Sequence, residues 1–199
     1  MRRSIRHTAS LAVLATVVAS IFSTAAFAHP GHLDPGFAGG FAHPLTGLDH
    51  LLAMVAVGLW ASQLGGRALW VLPVTFLTIM AAGAALGFGG VALPWVEIGI
   101  AGSVLVLGAL VALTLKPSLA VSLPLIALFA LLHGYSHGVE LPAGASWQTY
   151  GAGFMAATLA LHLAGIGIGL LAGRIPVRFA ARTAGGAIAC AGLLLVVTR

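Results

Sequence analysis

Polar and charged positions divide the chain into apolar stretches of similar length. From residue 46 onward six of these run roughly over 46–63, 68–89, 94–115, 119–139, 148–172 and 180–197. The breaks between them fall at Gly65-Gly66-Arg67, 89–94, Lys116-Pro117, 142–146 and 174–182. Each stretch approaches the roughly 20 residues that cross about 30 Å of hydrocarbon at about 1.5 Å per residue. The pattern predicts an all-α integral membrane protein built as a six-transmembrane-helix bundle.

The first residues follow a different pattern. Arg2, Arg3 and Arg6 precede an apolar run from Leu11 to Phe22, and Ala26-Phe27-Ala28 supplies a small-x-small cleavage site. These features predict a secretory signal peptide over 1–28, cleaved after Ala28, and a six-span membrane domain over 29–199. An uncleaved first span is the other reading of the same segment. Cleavage would put the mature N-terminus on the outer side, so the first, third and fifth connections would be cytoplasmic. Those connections carry Arg67, Lys116, Arg174, Arg178 and Arg182, whereas the outer side holds only Arg199. The distribution agrees with the positive-inside rule and places both mature termini outside the inner membrane.

Composition narrows the classes. The chain is 60% hydrophobic and 7% charged, with a mean hydropathy of +1.08. Soluble domains carry about 25% charged residues, so a water-soluble enzyme is excluded, and disorder is excluded by the abundance of apolar residues. Nine Lys and Arg spread over the chain form no patch for nucleic acid. Cys190 is the single cysteine, which rules out an intramolecular disulfide. Small-residue pairs such as Gly83xxxGly87, Gly165xxxGly169 and Gly169xxxGly173 suit close helix packing.

The remaining polar residues are unevenly placed. His29, His32 and Asp34 lie before the first span, His43, Asp49 and His50 at its entrance, Glu97 at the start of the third, and His133, His137 and Glu140 at the end of the fourth. On the predicted topology all of these reach the outer mouth, and His162 alone sits mid-span. His133 and His137, four residues apart, share a helix face about 6 Å apart and could chelate one divalent ion. His43 and His50 would lie about 10.5 Å apart on a straight helix. Pro44 and Gly47 interrupt that stretch, however, and Thr46-Gly47-Leu48-Asp49 reads as a capping box with Asp for Glu. A helix is therefore expected to start near Gly47, with His43 on a loop folded over it. Imidazole with carboxylate suits Ni, Co, Zn, Cu or Fe and fits Mg and Ca poorly. His29 and His32 form an auxiliary candidate at the mature terminus, and Glu97 a further one.

His43-Pro44-Leu45-Thr46-Gly47-Leu48-Asp49-His50 is similar to the first-span signature of the HupE/UreJ family, His-x5-Asp-His. His133-Gly134-Tyr135-Ser136-His137-Gly138-Val139-Glu140 resembles its second, with Leu132 and Ser136 in places where Phe and Ala are usual. Glu97 and Ser103 also resemble the family pattern. The resemblance implies an inner-membrane permease for nickel or cobalt that supplies hydrogenase or urease maturation. It assigns the motif residues His43, Asp49, His50, His133, His137 and Glu140 to the metal. On this reading the chain is not an enzyme and needs no resident cofactor. Its partners are the divalent ion it carries and the lipid bilayer, no nucleic acid is involved, and a homo-oligomer is left open. No Walker-type ATP loop is present, so facilitated diffusion is the simplest mechanism. The alternatives are a metal sensor or accessory membrane subunit and, further off, a membrane metalloenzyme.

Overall fold

The computed structural model describes residues 36–174 and 179–199. The expected signal peptide, its cleavage site, His29, His32, Asp34 and Arg178 lie outside the described residues. Among those described, every regular element is a helix: α1 Phe37–Thr46, α2 Leu48–Leu64, α3 Ala68–Phe88, α4 Val96–Ala112, α5 Leu119–Val139, α6 Trp147–Arg174 and α7 Phe179–Thr198. By length and apolar character α3, α5, α6 and α7 can each cross a membrane. The helices α1 and α2 qualify together as one span bent by 84°, and α4 is a shorter apolar helix.

The entry to the first span departs from expectation. Gly39, Gly40 and Pro44 read as breakers, yet 37–46 forms α1, and His43 lies on a helix and not on a loop. Pro44 lies inside α1 and withholds one N–H from its ladder, and the helix ends two residues later. The glycines serve packing: a Cβ at Gly40 would overlap the carbonyl oxygen of Tyr150, and one at Gly153 that of Phe37. Backbone contact between α1 and α6 is thus what the small residues permit. The chain turns at Gly47, whose extended backbone separates the two helices. The expected capping box does not form, because the Thr46 hydroxyl donates to the His43 carbonyl at 2.9 Å.

The α2 helix is the central element, packed against α3, α4, α6 and α7. Ala53, Met54, Ala56, Val57 and Trp60 on it are completely buried. Around it α3 pairs with α5 and α4 with α7. Gly83 lies against the Leu131 backbone and Gly134 against that of Met80, so the α3–α5 interface is small-residue contact from both sides. Large apolar side chains such as Trp70, Phe88, Leu171 and Leu194 face outward, as a lipid-facing surface requires. At the end of α2 far from Asp49, the Trp60 indole and the Gln63 amide donate to the carbonyls of Leu115 and Val111 at 2.9 and 3.0 Å. Arg182 donates to Ala112 O at 3.1 Å, so the end of α4 has partners for its last carbonyls.

Candidate metal site

The bend between α1 and α2 brings three helices to one place. His43 comes from α1, Asp49 and His50 from the first turn of α2, and His133 and His137 from the last turns of α5, with Glu140 as its C-cap. The rings of His43 and His50 have centroids 6.3 Å apart, well inside the straight-helix separation. The ring of His50 lies 4.3 Å from that of His137 and 4.9 Å from that of His133. The His43 ring is 4.9 Å from that of His137. The histidines of the first span and those of α5 form one interleaved file of imidazoles.

Their hydrogen bonds fix which nitrogens are free. Asp49 Oδ1 accepts from the His50 backbone N–H at 2.8 Å and from His50 Nδ1 at 2.5 Å. With the proton on Nδ1, the His50 lone pair is on Nε2, which is buried and has no partner. Asp49 is therefore an orienting carboxylate for His50. The Ser103 hydroxyl has one proton and gives it to Ile100 O at 2.7 Å, so at 2.9 Å it accepts from His133 Nε2. That leaves the lone pair of His133 on Nδ1, also buried and unpartnered. In His137 both ring nitrogens are buried without a hydrogen bond. An imidazole whose far nitrogen is held by a carboxylate or hydroxyl is the usual form of a metal-ligating histidine.

At the mouth, His43 Nδ1 pairs with the Tyr150 hydroxyl at 2.8 Å and its Nε2 lies 3.6 Å from Glu140 Oε2. One ligand atom from each of His43, His137 and Glu140 lies within 4.8 Å of the others. Ligands about 2.1 Å from one ion sit about 3–4 Å apart, so this trio needs to close by roughly an ångström. Glu140 Oε1 accepts from the Ser136 hydroxyl at 2.9 Å. The nearby His43 imidazole and the hydrogen bond from Ser136 hold the Glu140 carboxyl below its ordinary range, against the opposing effect of burial.

Glu97 and Asp49 share a partner that the sequence reading missed. Arg199, just past α7, donates through Nη2 to Asp49 Oδ2 and through Nη1 to Glu97 Oε2, each at 2.5 Å. The sequence does mark it as the one basic residue expected on the outer side. Tyr150, from α6, was likewise invisible, because nothing in its neighbourhood signals contact with a residue 107 positions away. A cavity of about 420 Å³, lined in part by Trp95, Glu97, Ser136, Glu140 and Arg199, forms a vestibule that borders Glu140 and none of the imidazoles. Below the file, His162 is buried with neither nitrogen hydrogen-bonded, and its ring lies 5.1 Å from that of Phe76.

Apolar helices that confine their histidines and acids almost wholly to one end define a multi-pass helical membrane protein. The model of the HupE / UreJ protein family matches residues 16–195, and the chain belongs to that family. Over 185 residues it is 46% identical to "Protein HupE" of Rhizobium leguminosarum bv. viciae, spanning 93% of this chain and 97% of that protein. No solved structure matches the chain.

Proposed function

We propose that this protein is an inner-membrane permease for a divalent transition-metal ion, with nickel as the first candidate and cobalt the second. The observation that carries the reading is the set of buried imidazole nitrogens without hydrogen-bond partners at His50, His133 and His137, with the His50 ring 4.9 Å from that of His133 and 4.3 Å from that of His137. Unpaired buried polar atoms cost about 1–3 kcal/mol each, and a file of them is readily accounted for by a ligand that pairs with them in turn. Imidazole lone pairs suit late first-row ions and offer little to Mg or Ca. The choice of nickel or cobalt rests on the family, and so does the supply of hydrogenase or urease maturation.

The ion enters the vestibule, loses water to His43, His137 and Glu140, and passes to His50 and His133 one turn further in. Closely spaced sites of moderate strength favour passage over retention. The bent α1–α2 pair and α4, with the four longer helices, make six spans, and the cluster faces the periplasm. In that orientation Arg67, Lys116 and Arg182 lie on the cytoplasmic side. Radiolabelled nickel uptake in cells without their own nickel importers tests the reading. Native protein should restore uptake, and His50→Ala and His137→Ala should abolish it at normal membrane levels. Excess cobalt should compete better than zinc. No uptake by well-expressed native protein would reject the permease in favour of a sensor or accessory subunit.

A further inference from the structure

Glu97 and Glu140 border the vestibule and Asp49 is joined to it through Arg199, yet the three acids are not equivalent. Glu140 faces the imidazoles of His43 and His137, whereas Asp49 and Glu97 are bound by one guanidinium. Arg199 Nη1 donates to both the Glu97 carboxylate and, at 3.1 Å, the Glu97 backbone carbonyl. Its Nη2 takes the one oxygen of Asp49 that His50 leaves free. The planar fork of arginine suits such a bridge between two acids, and a lysine ammonium does not reproduce it. The consequence is a mouth in which Arg199 engages Asp49 and Glu97 and leaves Glu140 facing the imidazoles.

We infer that Arg199 is a specificity-determining residue: a tethered cation that occupies the Asp49–Glu97 pair and so presents imidazole, not carboxylate, to ions in the vestibule. The inference rests on the transport reading above and deepens it. Hard ions such as Mg2+ and Ca2+ are held by several oxygens. With Arg199 in place they meet one carboxylate among nitrogens and gain too little to lose their water. An ion that binds imidazole needs only His43, His137 and Glu140, none of which Arg199 contacts. The guanidinium also sets a threshold, since its positive charge weakens the hold of the site on any cation and aids release inward. Its side chain lines the vestibule and is a quarter exposed, so it can swing aside as the ion passes.

The test is equilibrium nickel binding to the purified full chain in lipid nanodiscs, with and without millimolar Mg2+. The native protein should bind nickel unaffected by Mg2+. Arg199→Gln should bind nickel about tenfold tighter, which corresponds to about 1.4 kcal/mol, and should lose much of that binding to millimolar Mg2+. Arg199→Lys keeps the charge without the fork that spans both acids, and its sensitivity to Mg2+ should fall between those of the native protein and Arg199→Gln. Arg199→Met, which retains the apolar stem, replaces the Gln variant should that one fail to fold. Unchanged or weaker nickel binding in the neutral variants, or binding that stays insensitive to Mg2+, would overturn the inference while leaving the metal site standing. Nickel binding by neither native nor neutral variant would overturn both.

Discussion

Ser103→Ala removes one oxygen atom from the middle of the protein, and its effect can be worked out in advance. Ser103 and His133 are both fully buried, and their 2.9 Å hydrogen bond is the one that His133 makes. In the variant the Nε2–H of His133 loses its acceptor. The penalty is that of an orphaned buried donor, about 1–3 kcal/mol. For a chain of this length that translates into a fall in Tm of about 2–12 °C. A second effect is chemical. Without Ser103 the proton is no longer held on Nε2, the tautomer with its lone pair on Nδ1 loses its advantage, and nickel affinity should fall by about tenfold or more. Thermal unfolding and nickel binding of the purified protein read the two effects separately. Combining Ser103→Ala with His133→Leu removes donor and acceptor together and should recover part of the lost stability. A double variant as unstable as the sum of the single ones, or a single variant with unchanged Tm, would refute the assignment.

Other outcomes follow from the same geometry. Gly134→Val should destabilise the protein by at least about 1–3 kcal/mol, since its Cβ would strike the Met80 carbonyl and α3 and α5 would have to part. Gly102→Ala, where nothing lies within 4 Å of the new atom, should be neutral or slightly stabilising in the same thermal assay. Tyr150→Phe frees His43 Nδ1 and should weaken nickel binding several-fold without lowering protein levels. On acidification, nickel binding should weaken, since a protonated imidazole cannot ligate a metal ion. Glu140 does not share that loss. Its carboxyl is held below the ordinary range, so its contribution is present above that range and fades only as pH drops through the lowered value. Nickel binding that strengthens as the pH is lowered would contradict the role of the histidines.

Much of the fold is written in the sequence because hydrocarbon leaves the backbone few choices. The apolar stretch 119–139 coincides with α5, and that at 68–89 with α3 to within a residue. What escaped was short and depended on distant partners. The segment 37–46 contains Gly39, Gly40 and Pro44, which local propensity reads as breakers. Its helix exists because those small residues let α1 lie on α6, a tertiary reward that no local pattern announces. The histidines and acids were legible through their scarcity, since each ionisable group in such a chain stands out. Their division of labour was not. Asp49 reads as a ligand by type, and its contacts to His50 and Arg199 are visible only in the fold. The i, i+4 pair His133 and His137 likewise reads as one chelate. In the fold His133 turns to Ser103, while His137 joins His43 and Glu140.

The central claim is that this chain alone moves a transition-metal ion past its buried imidazoles. Purified protein reconstituted into liposomes with a nickel-sensitive dye inside, and no other protein present, measures that directly. The account predicts nickel entry down its gradient with the native chain, none with His137→Ala or His50→Ala, and no entry of Mg2+. Nickel binding without entry by folded native protein would contradict it, and so would entry that survives loss of both histidines.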